Sequence, residues 1–391
     1  MARKVLLHIG LPKTGTTYLQ TIMWDNRERL RDHGVLLPGL ERRDHLWSSL
    51  VVRGDPNVAR RNRLAPGAWD RVRQEVGDWS GTAVISHEFF CSASAEQAAD
   101  AVAALAPAEV HVVVTAREAL GLFTASWQES IKNKGTTPIG EYGRTESPNP
   151  LVIWDWRALD LGLVLERWGP SVPPERLHVL PLPRPGSPRE LLWERFAGLL
   201  EVDPHAFDLD RSFPNESMGV VETETLRRVN QVLTGFDSAL DRGVWIRSYL
   251  ADERLVPRRG EKYWPGPDQI ADCRARADRA VALVRERGYH VVGELENLRV
   301  PEELPERRHP DSVTDAEVAE VAVETIAVML ADVRRLDREA RTARRKSAAR
   351  RAPATRPATR PASRGGGVRA AVARIPGVAA AYRALRSRRS R

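Results

Sequence analysis

The sequence predicts a three-layer α/β fold around a central, mostly parallel sheet, extended by a C-terminal helix and a disordered basic tail. Two observations carry this. Four short runs rich in β-formers, at residues 4–9, 82–86, 109–115 and 176–182, are apolar almost throughout rather than alternating, as strands buried on both faces must be. Helical patterns separate them, and strands alternating with helices make a parallel sheet covered on both sides.

Residues 4–9 form the first strand and run into Gly10. A helix over 16–31 places Leu19, Ile22, Met23 and Leu30 near one face, with Gly34 as its stop. Residues 36–78 are Arg-rich with scattered Trp and Pro and give no clear period. The strand at 82–86 leads to an Ala-rich amphipathic helix over 94–105. The strand at 109–115 leads to a helix over 117–134, a Gly/Thr/Pro/Asn/Ser loop at 135–150, and a helix over 151–167. After the strand at 176–182 come helices at 189–200, 220–233 and 269–287, and a late strand at 289–292. Residues 300–310 are a Pro-rich linker. Ser312 or Thr314 caps a last helix to about Arg338, with Val318, Val321, Ile326 and Leu330 among its apolar positions.

The chain has 391 residues, 42% apolar and 29% charged, the composition of an ordinary soluble protein with a sizeable core. Two cysteines, Cys91 and Cys273, are too few for a disulfide framework or a Cys-rich zinc site. They fit a reduced, cytoplasmic setting. No run nears 18 apolar residues, so no transmembrane helix is expected. The apolar run at residues 5–9 is too short for a signal peptide, and Lys13 follows it.

The net charge of +8 hides an asymmetry. Residues 340–391 hold 16 Lys/Arg and no Asp/Glu, so residues 1–339 carry 8 − 16 = −8. Three regions follow: an α/β domain at 1–300, a linker and helical extension at 301–340, and a basic low-complexity tail at 341–391 that cannot bury a core. Within the tail, residues 368–389 place Val368, Val372, Ile375, Ala379 and Tyr382 at helical spacing among arginines, with a kink at Pro376. That pattern allows an amphipathic helix on an anionic membrane surface at the inner face of the membrane. A plain solvated tail is the simpler reading. Because the body is acidic, nucleic acid is disfavoured as a partner.

The chemistry gathers at strand ends. The first strand enters Gly10-Leu11-Pro12-Lys13-Thr14-Gly15-Thr16-Thr17 and a helix follows. Such an element points backbone N–H groups and a helix dipole at an anion. Gly10 and Gly15 have the Walker spacing, but Thr16 follows Gly15 where that pattern has Lys, and the loop's lysine is Lys13. This is a P-loop-type phosphate cradle with a displaced lysine. His8, mid-strand, reads as a satisfied core residue. In a parallel sheet ligands bind outside the carboxyl ends of the strands. The second strand ends at Ser86-His87-Glu88 and the third at Thr115-Ala116-Arg117, so polar groups recur at the same edge.

The segment from His8 to Gln20, with its P-K-T-G-T-T loop, resembles the 5′-phosphosulfate loop of sulfotransferases that use 3′-phosphoadenosine 5′-phosphosulfate (PAPS), in particular the bacterial sulfotransferase-like subgroup. The resemblance spans residues 4 to about 300, including Trp127-Gln128-Glu129, Asn215-Glu216-Ser217-Met218-Gly219 and Gly288-Tyr289-His290-Val291-Val292-Gly293. It implies that Lys13 and the N–H groups of Gly15, Thr16 and Thr17 hold the leaving phosphate, with Thr14 completing the loop. It also implies that His87 or Glu88 takes the acceptor's proton, with the subgroup's Ser-x-Glu pattern favouring Glu88. Arg117 would hold the 3′-phosphate. The family's serine eight positions on falls at Ala125. Thr124 and Ser126 are its neighbours, and Ser126 is rotated by about 100 degrees from the expected place. Gln128 and Glu129 could face the acceptor or be a solvated helix face, and Arg258-Arg259-Gly260 could be a basic loop at the 3′-phosphate or a charged surface turn. No metal-ligand cluster stands out.

The implied activity is sulfuryl transfer from PAPS to a hydroxyl or amine of a small metabolite, carbohydrate or glycolipid. The alternatives are a P-loop kinase or NTPase, against which the displaced lysine argues, and a catalytically inactive protein that binds 3′-phosphoadenosine 5′-phosphate (PAP).

Overall fold

The computed structural model describes residues 1–209 and 217–351, with side chains described through residue 344. Strand β1 is Lys4–Gly10, followed by helices α1 (Thr16–Asp25) and α2 (Arg27–Asp32) and strand β2 (Val35–Leu36). Helices α3 (Arg42–Val52), α4 (Val58–Arg61) and α5 (Ala68–Gly77) lead to β3 (Thr82–Ser86), then α6 (Ala95–Ala103) and β4 (Glu109–Ala116). Helices α7 (Ala119–Lys132), α8 (Trp156–Leu159) and α9 (Leu161–Trp168) precede β5 (Leu177–Pro181) and α10 (Leu191–Leu200). After these come α11 (Val220–Val232), α12 (Ala239–Asp241), a π-helical stretch at Arg242–Leu255, α13 (Pro267–Arg287), β6 (His290–Val291) and α14 (Asp315–Arg351).

The six strands form one parallel sheet in the order β2-β3-β1-β4-β5-β6. The fold is thus the three-layer α/β arrangement expected. Leu6, Val84, Val113 and Leu180 project from one face into a core with Leu19, Ile22 and Met23 of α1, Leu30 of α2, and Trp193 and Phe196 of α10. The alternate residues Val5, Leu7, Ile85, Val112 and Val114 are fully buried as well, which is why these strands lack a polar side.

The topology places a site. Strand β1 lies between β3 and β4. The chain first builds β2 and β3 on one side of β1, then crosses to build β4, β5 and β6 on the other. The carboxyl end of β1 is therefore the switch point where an open parallel sheet leaves a crevice. The ladder between β1 and β4 also breaks register between His8 and Gly10, as the strand turns out into its loop.

Several elements differ from expectation. The helix predicted over 16–31 is cut at Asn26, whose Nδ2 donates to the Ile22 carbonyl at 2.9 Å and whose Oδ1 accepts from the Asp208 N–H at 3.0 Å. An Asn side chain that bonds backbone in this way competes with helix continuation. The helix predicted over 151–167 starts only at Trp156. Asp155 and Asp160 successively cap α8 and α9, accepting from Arg157 N at 3.0 Å and Leu163 N at 3.3 Å. The unread segment 36–78 holds three helices, and β2, at its entrance, is too short to show a period. The last helix runs to Arg351 rather than 338. Ala, Arg and Lys are strong helix formers, and the first proline in that stretch is Pro353, so residues 341–351 continue the helix instead of opening the tail.

The chain divides into two compact units after Thr314. Residues 352–391, with the amphipathic segment 368–389, and Asn215 and Glu216 lie outside the described residues. Among those described, no helix is long and apolar enough to cross a membrane.

Candidate functional site

The loop between β1 and α1 reverses direction in five residues. Gly10 (φ 108°), Lys13 (φ 63°) and Gly15 (φ 80°) all take left-handed backbone. For Lys13, which carries a Cβ, this costs about 1–3 kcal/mol. A Cβ on Gly10 would sit 2.9 Å from the Glu88 Cα. The loop is thus pressed against the residue just past β3, and only glycine fits.

Buried polar side chains hold the loop from beneath. The Thr14 hydroxyl donates to the Leu11 carbonyl at 2.6 Å and lies 2.7 Å from the Thr115 Oγ1, while Leu11 N donates to the Thr115 carbonyl at 2.7 Å. His8 spans the sheet, with Nδ1 2.8 Å from the Ser86 Oγ and Nε2 3.1 Å from the Thr115 Oγ1. Burial lowers its pKa to about 4, so it is the neutral core residue expected. The Thr14 side chain points inward, so its main chain is the part of this residue that faces outward from the floor. Above this floor, Gly15 caps α1 without a side chain, Thr16 is buried and Thr17 exposed. The first-turn N–H groups have no intrahelical partner and the dipole is positive there, which suits an anion.

Lys13 leaves the loop toward α7. Its Nζ lies 3.0 Å from the Glu129 Oε2, and the other oxygen of Glu129 meets Arg247 of the π-helical stretch. Lys132 sits beside them with its Nζ 2.7 Å from the Asp252 Oδ1. Although the Lys13 side chain is 39% exposed and faces Glu129, loss of solvation in the site, reinforced by the positive charges of Lys132 and Arg247, lowers its pKa to about 8, with Glu88 and Asp252 opposing the shift. Gln128 and Glu129 are both buried, so they are not a solvated helix face. Gln128 braces the fold: its Oε1 accepts from Met218 N at 3.1 Å and its Nε2 donates to the Tyr263 hydroxyl at 3.2 Å. Glu129 is the carboxylate that faces the loop lysine.

His87 and Glu88 follow β3, and the structure separates them. His87 Nδ1 accepts from Phe89 N at 3.1 Å. The neutral ring then carries its proton on Nε2, and its basic nitrogen is already engaged. Burial also lowers its pKa. Burial pushes the Glu88 carboxyl upward, but His87, its own backbone N–H, the Gln20 amide and Arg42 outweigh this, and the net shift is down. Gln20 Nε2 donates to the Glu88 Oε2 at 3.2 Å, and Arg42 Nη2 donates to the Gln20 Oε1 at 2.8 Å.

Arg117 emerges where β4 ends. Its guanidinium lies over Gly121, where a Cβ would fall 2.4 Å from Nη2, and 3.6 Å from Glu118. Ser126 does not join it. That side chain is fully buried, 2.6 Å from the Tyr142 hydroxyl, on the far side of α7 as its rotation requires. Thr124, half-buried, returns its hydroxyl to the Leu120 and Gly121 carbonyls. Arg258 Nε is 3.2 Å from the buried Glu222 Oε1, which ties the Arg-Arg-Gly segment to α11.

The fold thus brings Lys13, the N-terminus of α1, Glu88 and Arg117 to one sheet edge, and leaves the side chains of Thr14 and Ser126 inside. Sequence reasoning missed Arg42, Lys132, Arg247 and the role of Gln20. Gln20 was findable, being one turn after Thr16 on α1. Arg42 and Arg247 carry no local signal, because both come from segments remote in sequence. Such a site can hold an anion next to an ionised carboxylate able to accept a proton. Among the described residues no His/Cys/Asp/Glu cluster could hold a metal. No protein-family model, curated protein or solved structure matches the chain.

Proposed function

We propose that this chain is a PAPS-dependent sulfotransferase acting on a hydroxyl or amine of a small-molecule or glycan acceptor. One observation carries the reading: the loop that ends β1 packs against the main chain of Glu88, with the Cβ position of Gly10 2.9 Å from the Glu88 Cα, and the Glu88 carboxyl is held below its usual pKa. The resemblance of the P-K-T-G-T-T loop supports the same reading.

The residues fit the phosphosulfate end of PAPS. Gly10 and Gly15 leave room for close approach, and the first-turn N–H groups and Lys13 supply donors. They fit the other end in part: Arg117 offers a bidentate fork, but Ser126 does not reach it. PAPS, when bound, would supply an activated sulfuryl group with a phosphate as leaving group. Lys13 and the α1 N-terminus would bind the negative charge at that phosphate. Glu88 would accept the acceptor's proton, kept ionised by Gln20 and Arg42, and Arg117 would distinguish PAPS from ATP.

The test is calorimetric titration with PAP and with Mg-ATP, followed by transfer of label from PAPS to an acceptor panel. Metal-independent PAP binding that is lost in Lys13→Ala is the expected result. Binding of Mg-ATP alone would replace this reading with a P-loop kinase or NTPase. PAP binding with no transfer to any acceptor would leave a catalytically inactive binding protein.

A further inference from the structure

Helix α14 presents an apolar stripe to solvent. Val323, Ile326, Leu330 and Val333 are 65%, 55%, 65% and 62% exposed. Their spacing of three, four and three residues is the seam of a heptad repeat, and such a stripe needs a facing helix. Branched residues at all four positions suit close helix pairing.

The flanks decide the partner and its direction. On one side the stripe is bordered by Ala322, Met329 and Leu336, which are half-buried and carry no charge. On the other it is bordered by Glu320, Ala327 and Arg334, all exposed. Glu320 and Arg334 are 14 residues apart, about 21 Å along the helix, too far to pair with each other. Arg335 and Arg341 are instead taken up locally by Asp332, Glu339 and Asp337. A parallel copy would set each charged flank against an uncharged one. An antiparallel copy sets Glu320 of one helix against Arg334 of the other, twice, by symmetry.

We propose that α14 pairs with the α14 of a second copy of this chain as an antiparallel two-helix coiled coil. Val323 packs on Val333 of the other copy and Ile326 on Leu330, giving four layers related by a two-fold axis. The contact is isologous, as a closed dimer requires. It does not depend on the sulfotransferase reading.

The test is analytical ultracentrifugation of the full chain over a range of concentrations, with folding of each variant checked by circular dichroism. A reversible dimer is expected. Leu330→Glu, at an exposed position, should weaken it at least about tenfold with the melting temperature of the monomer retained. Glu320→Arg and Arg334→Glu should each weaken it, and the double variant should restore it. A chain that stays monomeric at all concentrations would overturn the proposal, as would a dimer indifferent to Leu330→Glu or single swaps that the double variant does not rescue. A monomer that binds phosphatidylserine vesicles through this stripe would equally overturn it, placing a membrane there.

Discussion

The Gln20 side-chain amide donates to the Glu88 carboxylate at 3.2 Å, with its direction set from behind by Arg42. A guanidinium only donates, so the amide oxygen must face Arg42 and the amide nitrogen must face Glu88. Three residues from α1, α3 and the end of β3 thereby present one ionised carboxylate beside the loop between β1 and α1.

Glu88→Gln should lower transfer by about 100-fold or more, the usual scale for losing a general base. PAP affinity should stay within a few-fold of the parent, because Glu88 lies outside the anion's donors. His87→Gln should cost far less, since the basic nitrogen of His87 is engaged by Phe89 N. Steady-state rates and calorimetry on the same preparations check both, and equal loss in the two variants would contradict the assignment to Glu88.

Arg42→Gln should move the acid limb of the pH–rate profile upward. Arg42 is among the groups that lower the Glu88 pKa, so its removal lets burial raise that pKa. Activity near neutral pH should change little while the acid limb shifts toward higher pH. An acid limb that does not move would show that the relay through Gln20 is structural only.

Anion affinity should titrate with Lys13. With a pKa lowered to about 8 by burial, Lys132 and Arg247, the ammonium is charged below that pH and is lost above it. PAP binding measured from pH 6.5 to 9.5 should hold steady and then weaken as pH rises through about 8. Lys13→Ala should bind weakly throughout and lose this step.

Gly10→Ala should impair transfer more than Gly15→Ala. Both glycines have positive φ. At Gly10 the added methyl meets Glu88 main chain at 2.9 Å, whereas at Gly15 it meets the end of the Leu192 side chain at 2.6 Å, which can swing aside. Comparing rates in variants of matched thermal stability separates displacement of Glu88 from general loss of folding.

Stability should fall with acid below the histidine range. His8 and His45 are buried with pKa values lowered to about 4. The unfolded chain therefore binds more protons between about pH 6.5 and 4. Their contribution is complete above pH 6.5 and is lost as pH falls toward 4, on the order of 1–3 kcal/mol for each histidine. Urea midpoints from pH 7.5 to 4.5 should show the decline, and a flat profile would mean that one or both rings stay accessible to protons.

What the sequence determined by itself was the layered architecture and one half of the site. Continuous apolar runs locate β1, β3, β4 and β5, because burial on both faces leaves a local mark. The glycine and lysine spacing of the loop, Glu88 and Arg117 are visible because each follows directly on a strand, and parallel strands end at a common edge. The tertiary structure decided the rest. Which of His87 and Glu88 has a free basic atom depends on Phe89 N, Gln20 and Arg42. Which carboxylate meets Lys13 depends on the packing of α7 and the π-helical stretch over the loop. The rotation of Ser126 away from Arg117 was already legible from helix geometry, whereas its bond to the Tyr142 hydroxyl and the floor that turns the Thr14 side chain inward come from long-range packing. Residue type and local period set secondary structure, while the protonation and direction of a side chain depend on neighbours that only long-range packing supplies.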